Sequence, residues 1–76
     1  MMEATILLDE FVNAQDLNLF MDSYDWELLD RKYNGGETLL VCAPINSSGR
    51  QYSADDLAYE MTTWLDVGAR VIDVEY

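Results

Sequence analysis

Trp26-Glu27-Leu28-Leu29-Asp30-Arg31-Lys32-Tyr33-Asn34-Gly35-Gly36-Glu37-Thr38-Leu39-Leu40-Val41-Cys42-Ala43-Pro44-Ile45 is the stretch that decides the fold. Two runs of strand-forming residues, Trp26 to Tyr33 and Glu37 to Ile45, flank Asn34-Gly35-Gly36, and Asn-Gly supplies the positive φ angles that a tight type I′ turn demands. A β-hairpin follows. With Asn34-Gly35 at the centre of a two-residue turn, Trp26, Leu28 and Asp30 share a face with Leu39, Val41 and Ala43. Glu27, Leu29, Arg31 and Tyr33 then share the other with Thr38, Leu40 and Cys42. The first set is the more apolar and is expected to face the helices. The open face would carry Leu7, Leu29, Tyr33, Leu40 and Val71 among Glu27, Arg31, Asp73 and Glu75, a mixed surface suited to contact. A three-residue turn would reverse the assignment.

Working outward, Ala4, Ile6 and Leu8 alternate with Thr5 and Leu7, which is the period of a strand. Asn13 stands where an N-cap belongs, with Asp16 at the third helical position, and Leu17, Phe20, Met21 and Tyr24 follow at helical spacing. A helix from Ala14 to Ser23 results. Ser53 opens a second helix with Asp56 at its third position, its apolar stripe is Leu57, Met61, Trp64 and Leu65, and Gly68 is its expected stop. Between hairpin and helix, Pro44 to Tyr52 reads as an exposed loop around Asn46-Ser47-Ser48-Gly49. Arg70 to Tyr76 is a last strand, with Ile72, Val74 and Tyr76 on one side and Val71, Asp73 and Glu75 on the other. The order is βαββαβ, the split βαβ, ferredoxin-like α+β arrangement of four antiparallel strands with two helices on one face. The expected core is Ile6, Leu8, Leu17, Phe20, Met21, Leu28, Leu39, Val41, Leu57, Met61, Trp64, Leu65, Ile72 and Val74.

All of this fits in 76 residues, enough for a single domain, 1–76. Half of the chain is apolar, so it folds rather than remaining a disordered acidic tail. The charge balance is extreme: fifteen Asp and Glu, four Lys and Arg, no His, and a formal net charge of -11. Direct binding to nucleic acid or to an anionic membrane through a basic patch is disfavoured, since either needs Lys and Arg at the surface. With neither signal peptide nor spanning segment in view, a soluble cytoplasmic protein is expected.

Catalytic signatures are sparse. Histidine, the commonest general base near neutral pH, is missing. Gly35-Gly36 lies between strands and Ser48-Gly49-Arg50 lacks the Walker lysine, so no phosphate loop forms. Cys42 has no Cys or His beside it for a soft metal. Asp22, Asp25, Glu27 and Asp30 are the densest acidic run but lack the spacing of a calcium loop. Neither catalytic residue, metal nor cofactor is expected. Among ferredoxin-like families, RNA-recognition motifs need basic and aromatic strands, metal chaperones a Cys-x-x-Cys loop and acylphosphatases an Arg-bearing first loop; here that loop is Asp9-Glu10-Phe11-Val12.

The acids themselves are the candidate machinery. Residues 1 to 30 hold eight acids and no base. Asp55, Asp56, Glu60 and Asp66 recur at spacings that present carboxylates along one side of the second helix, about 5 to 6 Å apart, near the phosphate spacing of a nucleic-acid strand. In size, acidity and βαββαβ order the chain resembles the small phage proteins that block host nucleases, the anti-CRISPR and anti-restriction DNA mimics. The resemblance spans the whole chain and rests on no single motif, so it assigns no individual residue. It implies a stoichiometric, non-catalytic inhibitor in the host cytoplasm, occupying the Lys/Arg-lined groove of a nucleic-acid-binding protein or nuclease complex. The partner-binding candidates are Asp16, Asp22, Asp25, Asp55, Asp56, Tyr59, Glu60 and Asp66, with Tyr24 or Trp26 as further aromatic anchors. The alternative is an interaction module that forms a homodimer or docks on a larger complex through the open sheet face. Small-molecule sensing in the manner of ACT-like dimers has only fold analogy behind it.

Overall fold

The computed structural model describes residues 2–76 and contains β1 (Glu3–Leu8), α1 (Ala14–Ser23), β2 (Trp26–Asn34), β3 (Glu37–Pro44), α2 (Ala54–Trp64) and β4 (Ala69–Glu75). A short 3₁₀ turn, Gly49–Gln51, precedes α2. The strands form one antiparallel sheet in the order β2-β3-β1-β4, the ferredoxin-like arrangement expected from the element order. Alternate residues of the central strands, Ala4, Ile6 and Leu8 from β1 with Leu40 and Cys42 from β3, are fully buried. They meet Leu17, Phe20 and Met21 of α1 and Ala54, Leu57, Ala58 and Met61 of α2 in one core. Both helices therefore cover the same face of the sheet.

The helix ends follow the local rules. Asn13 accepts from the Asp16 backbone N–H at 2.8 Å, and Ser53 forms a capping box with Asp56. Both helices stop at an aspartate in the left-handed region, Asp25 (φ 56) and Asp66 (φ 55). Asp66, rather than Gly68, terminates α2, because a short polar side chain tolerates that conformation.

The turn of the hairpin departs from expectation by one residue. Asn34 pairs with Glu37 and Tyr33 with Thr38, so the turn is centred on Gly35-Gly36, with Gly35 in the left-handed region (φ 66). The slip amounts to two residues along β3, so Asp30 still shares a face with Leu39 and Val41; what departs from expectation is that the opposite face lies under the helices. Leu40 and Cys42 go under the helices, whereas Leu39 and Val41 lie half-buried on the open face. A bulge at Leu29 then returns Trp26 and Leu28 to the covered side, opposite Pro44 and Cys42. Tyr33 is on the covered side too, its hydroxyl donating to the Val12 carbonyl at 3.0 Å. The other edge strand behaves alike. A bulge at Ile72 places Val71 opposite Ile6 and Val74 opposite Ala4, leaving Ile72 52 % exposed instead of in the core.

The loop after β3 is exposed at most positions, yet it is docked at Gly49. Trp26 Nε1 donates to the Gly49 carbonyl at 2.8 Å, and the Ile45 N–H donates to the Asp25 carbonyl at 2.9 Å. A Cβ at position 49 would overlap the Asp25 carbonyl oxygen, so this corner requires glycine.

Candidate functional site: a groove between the helices

α1 packs chiefly over β2 and α2 over β4, with little contact between the helices themselves. The gap is a groove with a volume of about 930 Å³, lined by the β1–α1 connection, one flank of α1 and the C-terminal end of α2. Its apolar surface includes Phe11, Leu19, Phe20, Tyr24 and Trp64, and its carboxylates are Glu10, Asp16 and Asp66. Phe11, Leu19 and Trp64 are 62 %, 61 % and 68 % exposed. Together they form an exposed apolar patch beside the carboxylates.

Hydrogen bonds fix this shape. Thr38, buried on β3, accepts from the Val12 N–H at 3.1 Å through Oγ1 and donates to the Glu10 carbonyl at 2.9 Å. The Asp9 N–H donates to the Gly68 carbonyl at 2.9 Å, and the Gly68 N–H donates to Asp9 Oδ1 at 2.8 Å. The two loops at the groove's end are thus tied together, and a Cβ on Gly68 would strike the Asp9 carboxylate. Phe11 is propped against Tyr33, ring centroids 4.7 Å apart. On the far wall Glu60 Oε2 accepts from Tyr24 Oη at 3.0 Å and from Trp64 Nε1 at 3.2 Å, setting both rings. Burial and the Glu60 carboxylate push the Tyr24 phenol above its ordinary pKa, so it remains a neutral donor.

The sequence-derived candidates divide. Asp16 and Asp66 come together as carboxylates of the groove, and Glu60 orients its aromatic wall. Asp22, Asp25, Asp55, Asp56 and Tyr59 lie outside it. Tyr59 is 69 % exposed, away from the core stripe as expected. Asp16 and Asp56 also serve their own helix N-termini. Trp26 is fully buried with its indole N–H satisfied, which removes it as an anchor. Cys42 is buried as well, and burial pushes its thiol up to about 12, far from a nucleophile at neutral pH.

Phe11, Leu19 and Trp64 were missed as site residues. Trp64 falls at the right interval for the α2 stripe, but it sits about a fifth of a turn from the centre of Ala54, Leu57, Ala58, Met61 and Leu65. The small residues Ala54 and Ala58 were the signal, since they mark where the helix approaches the sheet. Leu19 lies opposite the Leu17-Phe20-Met21 face, a place where a leucine has no core to fill.

Among the described residues, no helix is long and apolar enough to cross a membrane. The chain matches no family model, no curated protein and no solved structure.

Proposed function

We propose that this protein is a non-catalytic acidic inhibitor that docks its helical layer on the basic groove of a nucleic-acid-binding protein, a nuclease or CRISPR-type effector, and excludes nucleic acid from it. The observation that carries this reading is the groove itself: exposed aromatic and apolar side chains placed beside carboxylates. Such a site suits a partner surface of Arg and Lys, whose aliphatic stems lie on apolar side chains and whose charges meet carboxylates or the face of Trp64.

Two of the acids also stand at helix ends that disfavour a negative charge. Asp22 is in the last turn of α1 and Asp66 just past the end of α2, at the negative ends of helices with no base in either last turn. Asp66 occupies a backbone conformation that glycine or asparagine adopts more easily. Charges that cost stability are what a binding role explains and a folding role does not.

The test is affinity capture from cells carrying a restriction or CRISPR system, followed by competition of the captured protein with duplex DNA. The double variant Asp22→Asn/Asp66→Asn is expected to melt at the same temperature or higher while losing about tenfold in affinity, and binding should weaken with added salt. Trp64→Ala should lose binding without unfolding. Capture that is indifferent to DNA, salt and the double variant would overturn the reading.

A further inference from the structure

The open face of the sheet carries a graded pattern of charge across an apolar centre. The pairings place its side chains in three rows perpendicular to the strands. Lys32, Leu39, Leu7 and Arg70 form the first row, with a base on each edge strand. Asp30, Val41, Thr5 and Asp73 form the second, with an acid on each edge. Glu27 opposite Ala43, and Glu3 opposite Glu75, form the third. Leu7, Leu39, Val41 and Thr5 are only half-buried here, since both helices lie on the other side.

We infer that this face binds a second copy of the same chain, strands antiparallel to its own, in an isologous dimer separate from the inter-helix groove. Two sheets packed face to face lie about 10 Å apart, and a closed pair is related by a two-fold axis between them. An axis along the strands would set Lys32 over Arg70 and Glu27 over Glu75, like charge on like charge at every corner. An axis across the strands, through the middle row, sets Lys32 over the second copy's Glu27 and Arg70 over its Glu75. The axis along the strands stacks Leu39 on Leu7, whereas the axis across them sets Val41 over its own mate, Leu39 over Ala43 and Leu7 over Glu3; four complementary corners against four like-charged ones choose the second. Within one chain the outer rows are about 13 Å apart, beyond the roughly 8 Å reach of screened charges at physiological salt. Within the chain Lys32 and Arg70 have Asp30 and Asp73 in the adjacent row, about 7 Å away, but the third-row acids Glu27 and Glu75 find a base on this face only in another copy. The arrangement also brings each Asp30 and Asp73 near its own symmetry mate, and two chains of net charge -11 repel as a whole. The association is accordingly favoured by moderate salt.

Sedimentation equilibrium of the full chain at about 0.15 M salt tests this as protein concentration is raised. Reversible dimerisation is expected. Lys32→Glu and Glu27→Lys should each weaken it about tenfold, because each change enters the symmetric pair twice, and together they should restore it. Restoration requires Lys32 of one copy to meet Glu27 of another, which no contact within a chain can imitate. Asp30→Asn with Asp73→Asn should tighten the dimer, and these exposed edge changes leave the fold intact. A chain that stays monomeric throughout, or a swap that fails to restore association, would overturn the proposal.

Discussion

On the covered side of the sheet Ala4, Ile6, Leu8, Leu40 and Cys42 have no exposed surface, while on the open side Thr5, Leu7, Leu39 and Val41 keep part of theirs. The central residues of both sides are largely apolar, and they come from the same two strands. What separates them is the cover. Two helices of 10 and 11 residues can roof one face of a four-stranded sheet and no more. The open face is therefore bordered by Lys32, Arg70, Asp30, Asp73, Glu27, Glu3 and Glu75, whose charged ends stay in water while their stems flank the apolar centre. Apolar alternation alone does not make a core; enclosure does.

The comparison can be broken from either side by truncation. Leu17→Ala or Met61→Ala removes a fully buried side chain from the covered face and is expected to cost about 2 to 5 kcal/mol, enough to unfold much of a domain this small. Leu39→Ala on the open face should cost about 1 kcal/mol or less, since its site is already partly hydrated. Equilibrium urea unfolding of the three variants, at protein concentrations low enough to keep the chain monomeric, checks the difference, and equal losses would mean that the open face is enclosed within the single chain.

A smaller effect is expected at the corner that secures Trp26, the largest fully buried side chain of the covered face. Gly49→Ala forces a methyl group onto the Asp25 carbonyl and displaces the oxygen that accepts from Trp26. A loss of about 1 to 3 kcal/mol is expected, with a shift of Trp26 fluorescence in the folded protein. An unchanged melting temperature would show that this loop moves freely.

Cys42 sharpens the comparison most gently. Its buried thiol donates to the Ala4 carbonyl at 3.6 Å and titrates near 12 in place of 9.0. The folded state holds the proton more tightly than the unfolded state, so this group's contribution is complete below pH 9.0 and is lost as pH rises toward 12. Stability should decline over that window, and less so in Cys42→Ala. Alkylation of Cys42 at pH 8 should proceed only through unfolding, whereas a cysteine placed at position 39 of a Cys42→Ala chain should react at once.

Much of the fold was legible along the chain because its signals are local. Asn13 with Asp16 and Ser53 with Asp56 mark the helix starts, glycines mark the hairpin, and Leu17, Phe20, Met21, Leu57 and Met61 mark the inward faces by period. The groove was less legible. Asp16, Glu60 and Asp66 were among the acids singled out, but their meeting with Phe11 and Leu19 depends on how far apart the helices lie. That spacing is set by the sheet beneath them and not by either helix.

By itself the sequence determined the order βαββαβ, the caps, the hairpin and an excess of acid that no rearrangement of the chain can remove. Only the tertiary structure decided which side of each strand is the inside. Leu39 with Val41 and Leu40 with Cys42 are nearly equal in hydrophobicity, so the alternation along β3 is degenerate. The helices settle on the Leu40-Cys42 side, and single-residue bulges at Leu29 and Ile72 bring the edge strands into line with it. Those choices answer to packing across the whole sheet, where every row must find its partners at once, and a local period of two carries no record of them.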